Sequence, residues 1–203
     1  MTLKLYYTPG ACSLSPHIAL REAGLNFDLV QVDLATKKLK DGGDFLAINP
    51  KGYVPALGLD DGQLITEGAV IVQYIADQKP ESKLAPKAGT LARVRLQEWL
   101  HFIATELHKG FGPINNPKSN PELKQFFRQR LDARFQILAA ALEKSEFLVD
   151  NAFSVADGYA FYTLRNLRRL DAGALEQSAV LKPYFERIAA RPAVRAALEA
   201  EGL

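Results

Sequence analysis

The chemistry that this sequence could perform starts at its single cysteine. Cys12 stands in the stretch Tyr6-Tyr7-Thr8-Pro9-Gly10-Ala11-Cys12-Ser13-Leu14-Ser15-Pro16-His17. There an apolar strand runs through a Pro-Gly turn into a helix whose start is signalled by Ser15 followed by Pro16. A thiol beside a helix N-terminus faces unpaired backbone N–H groups and the positive end of the helix dipole, and both favour thiolate. The plainer alternative is a small buried hydrophobe. Glu67-Gly68 opens another helix, whose free N–H groups suit a carboxylate, unless Glu67 only complements the dipole. Val54-Pro55 stands where a hairpin strand begins. Proline is tolerated there as an edge residue, or a cis bond leaves the Val54 N–H and C=O unpaired and facing Cys12, where a short peptide could add as a strand. Lys37, in a polar loop, is either solvated or within reach of an anion. These pieces together suit a small acidic peptide that carries sulfur.

The elements that position them follow from pattern. Leu3 to Tyr7 reads as a strand, Ser15 to Ala23 as a helix stopped by Gly24, and Phe27 to Val32 as a second strand. That is a βαβ unit with parallel neighbouring strands. Lys37 to Gly43 is polar, and Asp44 to Ile48 makes a short helix before Asn49-Pro50-Lys51-Gly52. Pro55 to Leu59 and Gln63 to Thr66 flank an Asp-Gly turn and form a hairpin. The helix from Glu67-Gly68 runs to about Asp77, with Val70, Ile71, Tyr74 and Ile75 at helical spacing.

Beyond residue 80 no strand pattern recurs. Helices are expected over 90–109, 121–145, 154–170, 180–190 and 192–201, the third opened by a Ser154-Val155-Ala156-Asp157 capping box. The fold class is therefore α/β plus all-α: a βαβ-ββα domain over 1–79, a linker over 80–86 with Pro80 and Pro86, and an all-helical domain over 87–203.

Composition narrows the function classes. The chain has 203 residues, 48% apolar and 24% charged, enough for a substantial core. A formal net charge of +2 is too mild to argue for nucleic acid or an anionic membrane. One cysteine excludes an intrachain disulfide and a Cys-based zinc site, and three scattered histidines, His17, His101 and His108, argue against a metal centre. The start lacks a basic-then-apolar leader pattern and no apolar run is long enough to span a bilayer, so a cytoplasmic address is expected.

Five stretches in register carry a resemblance across the whole chain: Tyr-Tyr-Thr-Pro-Gly-Ala-Cys-Ser, Asn-Pro-Lys-Gly-Tyr-Val-Pro-Ala-Leu, Asp-Asp-Gly-Gln-Leu-Ile-Thr-Glu-Gly, Ile-Ala-Thr-Glu-Leu-His-Lys-Gly-Phe and Phe-Ser-Val-Ala-Asp. The sequence resembles bacterial glutathione transferases of the cysteine-containing beta class. The resemblance implies a thioredoxin-like first domain, a helical second domain and a homodimer. It implies glutathione as co-substrate, with no cofactor or metal, and a small electrophilic second substrate. It places Cys12 next to the glutathione sulfur, Tyr7 at the tyrosine that ends the first strand, Ser13 with Tyr7 among the glutathione-binding residues, and Val54 against the cysteinyl backbone. Pro55 matches a cis-proline, Glu67 and Gly68 the pair at the γ-glutamyl carboxylate, and Lys37 a lysine near the glycyl end. His101, Thr105, Glu106 and His108 fall on positions that line the site, Glu106 toward the partner subunit's ligand.

The chain departs from its relatives at Gly68, where many have serine, and at His101, where asparagine is expected. His17 reads as an ordinary packed histidine. The leading expectation is glutathione conjugation to electrophilic, mostly apolar molecules. The alternatives are glutaredoxin-like thiol-disulfide exchange through Cys12 and non-catalytic carriage of apolar ligands.

Overall fold

The computed structural model describes residues 3–203 and forms two compact units, 3–85 with 190–203, and 86–189. Met1 and Thr2, which the expected first domain includes, lie outside the described residues.

The first unit is built on β1 (Leu3–Tyr7), β2 (Phe27–Asp33), β3 (Lys38–Leu39), β4 (Ala56–Gly58) and β5 (Leu64–Thr66), in sheet order β3-β2-β1-β4-β5. β1 and β2 are parallel, as the βαβ reading requires, and the other pairs are antiparallel. α1 (Leu14–Glu22) and α3 (Gly68–Gln78) pack against each other. Side chains alternate along β1, so the Tyr7 ring meets His17 of α1 while the Tyr6 ring meets Phe45 of α2 (Phe45–Ile48) on the opposite face. Leu5, Leu14, Ile18, Leu57, Ile71 and Ile75 fill the core.

Register brings four loops to one end of this sheet. Tyr6 pairs with Ala56, and Ala56 pairs with Thr66, so the end of β1 lies beside the start of β4 and the end of β5. Tyr7 pairs with Gln31 in parallel, which adds the loop after β2. The Cys12 turn, Val54-Pro55, Glu67-Gly68 and Lys37 therefore share that end.

The second unit comprises α4 (Leu91–Phe102), a π-helical segment (Ile103–His108), α5 (Phe111–Asn115), α6 (Pro121–Leu142), α7 (Val155–Leu170), α8 (Ala172–Glu176) and α9 (Leu181–Ala189). α7 is its centre, with every residue from Val155 to Leu164 buried. No described helix is long and apolar enough to cross a membrane.

Several expectations are corrected. The single helix expected over 90–109 is continuous over 91–108 but turns π-helical from Ile103, which keeps Ile103 and Leu107 fully buried while Thr105 stays exposed. It ends at His108, and at Gly110 just beyond an added Cβ would lie 2.9 Å from the Glu106 carbonyl oxygen and 3.0 Å from Leu131 Cδ1, so a side chain there would force this backbone turn to shift. β3, α5 and α8 are short elements that carry too little pattern to read. α1 begins at Leu14 rather than Ser15, and the Ser13 hydroxyl does not cap it: it bonds Thr8 N and Thr8 O, each at 3.2 Å. Pro16 sits inside the first turn, where its missing N–H has no partner to lose.

The last helix, α10 (Pro192–Glu201), belongs by sequence to the expected helical domain of 87–203 but packs on α1 of the sheet unit. Buried Val194 and Ala197 and the paired Arg191 and Glu22 (2.6 and 2.9 Å) fix it there.

Candidate active site

Cys12 sits in the turn between β1 and α1, where its Sγ donates to the Val54 carbonyl at 3.2 Å. The Val54-Pro55 bond is cis and Val54 faces Cys12 as expected, but its carbonyl is not left unpaired, because the thiol engages it. The turn is held from three directions. Thr8 Oγ1 donates to Val32 O at 2.7 Å, Ser13 bonds Thr8, and Gly10 N donates to Glu201 Oε2 at 2.9 Å. Gly10 takes φ +71°, a left-handed conformation that glycine adopts without strain, and lies against Leu203.

Behind the turn, Arg21 Nε donates to His17 Nε2 at 2.8 Å. A guanidinium only donates, so His17 Nε2 accepts and its Nδ1–H donates to Glu201 Oε1, also at 2.8 Å. The side chains of His17 and Glu201 are wholly buried. Tyr7 is buried too, and burial, with the Glu201 charge second, raises its phenol above the ordinary value, so it stays protonated.

Glu67 precedes α3 with φ 71° and ψ 114°, an unusual conformation for a residue with a side chain, and it does not cap the helix. Its side chain is exposed, as is that of Lys51, whose Nζ donates to Thr66 Oγ1 at 2.8 Å and lies 3.8 Å from Glu67 Oε1. Gly68 leaves only backbone at the first helical position. Lys37 also takes a positive φ, 58°, and its Nζ donates to Gly52 O at 2.9 Å.

The four candidates of the helical unit divide. His101, Thr105 and Glu106 line one cleft of about 700 Å³ together with Val94, Gln97, Glu98 and Phe102. Glu106 is committed within its own chain, to Arg130 at 3.0 Å and Arg134 at 2.9 Å, and these hydrogen bonds, Arg134 first, hold its carboxyl below the usual range. His108 turns instead to Tyr159 OH at 2.8 Å, with its ring edge-on to Tyr159 and Tyr162. Burial pushes its imidazole down to about 4, so it is neutral at pH 7.

Residues 1–77 match the family described as Glutathione S-transferase, N-terminal domain, and residues 102–192 match Glutathione S-transferase, C-terminal domain. Glutathione S-transferase GstA of Escherichia coli O157:H7 is 46% identical over 203 residues, covering 99% of this chain and 100% of the relative. The chain belongs to the glutathione S-transferase family. Among solved structures, the ternary complex of BphK, a bacterial GST, superposes with TM-score 0.95 at 53% identity, covering 98% of this chain and 100% of that one. A sphingomonad glutathione S-transferase complexed with glutathione gives TM-score 0.92 at 45% identity, covering 98% and 99%. The thioredoxin-like unit followed by a helical unit is thus the glutathione S-transferase arrangement.

In this glutathione S-transferase, two residues that the structure adds to the candidate site carry little or no signal in the sequence. Glu201 supports the Cys12 turn from 191 positions away, and no local pattern announces such a contact. Lys51 carries a weak signal, a cation in the Asn-Pro-Lys-Gly loop that precedes Val54. Among the described residues no group of three or more His, Cys, Asp or Glu could hold a metal.

Proposed function

We propose that the enzyme binds reduced glutathione at the end of its sheet and directs the thiolate at an electrophilic carbon of a small, mostly apolar co-substrate. The observation that carries this reading is the Cys12 Sγ to Val54 O contact of 3.2 Å, at the sheet end where α1 and α3 both begin without a side-chain cap. A cysteinyl residue that pairs with the Val54 backbone brings its sulfur to Cys12. Its γ-glutamyl carboxylate then reaches the free N–H groups of α3, and its ammonium reaches Glu67. The Lys37 ammonium, held over Gly52, supplies a counter-charge for the glycyl carboxylate.

In the transfer step the glutathione thiol gives its proton to solvent, and the sulfur attacks the electrophilic carbon. A C–S bond forms as the leaving group departs with its electron pair. Lowering the thiol pKa toward the working pH raises the reactive fraction, and the helix end and the Cys12 thiol favour the anion.

The same reading makes the enzyme a homodimer in the cytoplasm, where its thiols stay reduced. Leu91 and Val94 on α4 expose 68% and 48% of their surface, beside the cleft that holds His101 and Thr105, which supports a second copy covering that face.

Calorimetry with glutathione on wild type and Cys12→Ala, joined to mass spectrometry without reductant and a thioether assay with 1-chloro-2,4-dinitrobenzene, tests the reading. Binding by both proteins, conjugate formation by wild type, and a glutathione adduct only where Cys12 is present are expected. Binding without turnover would leave a carrier, and reduction of mixed disulfides faster than conjugation would leave an exchanger.

A further inference from the structure

Lys51 is a cation at the end of the sheet that neither the core nor the transfer step calls for. It projects from a loop that a buried side chain holds in place. Asn49 is 2% exposed, its Oδ1 accepts from Lys51 N at 3.2 Å, its Nδ2 donates to Tyr53 O at 2.9 Å, and its carbonyl accepts from Gly52 N at 2.9 Å. From that fixed backbone the side chain of Lys51 crosses to the end of β5, where its Nζ donates to Thr66 Oγ1 at 2.8 Å and lies 3.8 Å from Glu67 Oε1.

Stability does not explain the arrangement. Both charged side chains are more than half exposed, 54% for Lys51 and 67% for Glu67, and such a pair in contact with water contributes little to folding. Thr66 takes one N–H of the ammonium and the others stay available. Glu67 is fixed from its own side by the positive φ of 71° at the start of α3, a helix without a side-chain cap. The result is one positive and one negative charge, 3.8 Å apart, each on a fixed backbone beside the open helix start.

A free α-amino acid head group is the complement of that pair. Its ammonium nitrogen and its carboxylate oxygens are carried on one carbon and lie roughly 3 Å apart. It therefore fits head to tail across Lys51 and Glu67, with each ion against its opposite. A ligand with only one of the two charges leaves one of the protein's charges without its match.

We propose that Lys51 is a specificity-determining residue of the glutathione site: its ammonium, aimed by Thr66, takes the α-carboxylate of the γ-glutamyl residue together with the first N–H groups of α3, while Glu67 takes the amino group. This rests on the reading that the γ-glutamyl end lies at α3, and the choice of ligands separates the two.

Calorimetry with two peptides decides it: glutathione, and 4-aminobutyryl-cysteinyl-glycine, which is glutathione without its α-carboxylate. Lys51→Met keeps the stem and removes the charge, whereas Lys51→Arg keeps the charge. Wild type should bind glutathione at least about tenfold more tightly than the truncated peptide. In Lys51→Met the affinity for glutathione should fall about five- to tenfold while that for the truncated peptide stays the same, and Lys51→Arg should recover glutathione binding to within about twofold of wild type. Unchanged glutathione binding in Lys51→Met, or an equal loss with both peptides, would overturn the assignment of Lys51 and leave the γ-glutamyl end at α3. Equal binding of the two peptides by wild type would instead overturn the reading that places that end at α3, and the Lys51 assignment with it.

Discussion

The starts of α7 and α3 solve the same problem in opposite ways. Every helix begins with backbone N–H groups that lack partners within the helix. At α7 the protein closes that end itself. Asp157 accepts from Ser154 N (2.8 Å), Ser154 Oγ (2.9 Å), Leu148 N (3.0 Å) and Tyr184 OH (2.7 Å), all in a buried setting. Burial raises its carboxyl above the ordinary range against the pull of these bonds. At α3 nothing closes the end: Glu67 is exposed, strained and not a cap, and Gly68 has no side chain to offer. α1 also lacks a side-chain cap, because Ser13 spends its hydroxyl on Thr8, but backbone closes its start: Leu14 N donates to Ala11 O, Ser15 N to Cys12 O, and Pro16 has no N–H. Thr90 and Asn120 close α4 and α6 as Asp157 closes α7, and α10 opens on Pro192, which has no N–H to satisfy. Closed starts in this chain hold structure, whereas the open start of α3 at the end of the sheet leaves its first N–H groups for the carboxylate that the proposed function assigns to it.

The largest effect is expected where a closed start is opened. Asp157→Ala strands the Tyr184 hydroxyl and two backbone N–H groups and should destabilise the protein by about 3–5 kcal/mol in chemical denaturation. A loss under about 1 kcal/mol would mean that α7 does not depend on its box.

His108, which bonds Tyr159 in the second turn of α7, sharpens the comparison through pH. Its folded value of about 4 lies below the ordinary 6.5, so between these values the unfolded chain binds a proton that the folded chain refuses. Its contribution is complete above pH 6.5 and is lost as pH falls toward 4, on the order of 3 kcal/mol. Urea titrations at pH 7 and 4.5 should show this loss in wild type and a clearly smaller one in His108→Gln. Parallel losses in the two proteins would mean that groups other than His108 set the acid sensitivity.

The smallest effect belongs to the open start. Glu67→Gly should weaken glutathione about tenfold, roughly 1.4 kcal/mol, while relieving backbone strain and raising stability by up to about 1 kcal/mol. Function and stability would then move in opposite directions at α3. A variant that loses both together would make Glu67 a structural residue like Asp157.

Much of this is legible in the sequence alone, for definable reasons. β1 falls on Leu3–Tyr7 as its pattern predicts, Gly24 takes the positive φ that ends α1, and Ser154 and Asp157 form their box, because each signal is local. The hairpin follows from its Asp-Gly turn. The π segment is not legible, since periodicity does not reveal where a helix takes up an extra residue. Nor are the partners of Glu106, 24 and 28 residues onward, or Glu201 beneath Gly10, because such contacts exist only after the helices have packed.

The contrast between open and closed helix starts is tested most directly by following backbone amides in a glutathione titration with two-dimensional NMR. The amides of Cys12 to Ser15 and of Gly68 to Val70 should shift saturably with one shared Kd, while those of Val155 to Asp157 stay in place. Amides at the start of α3 and in the Cys12 turn that do not respond to saturating glutathione, or that respond no more than those of α7, would contradict it.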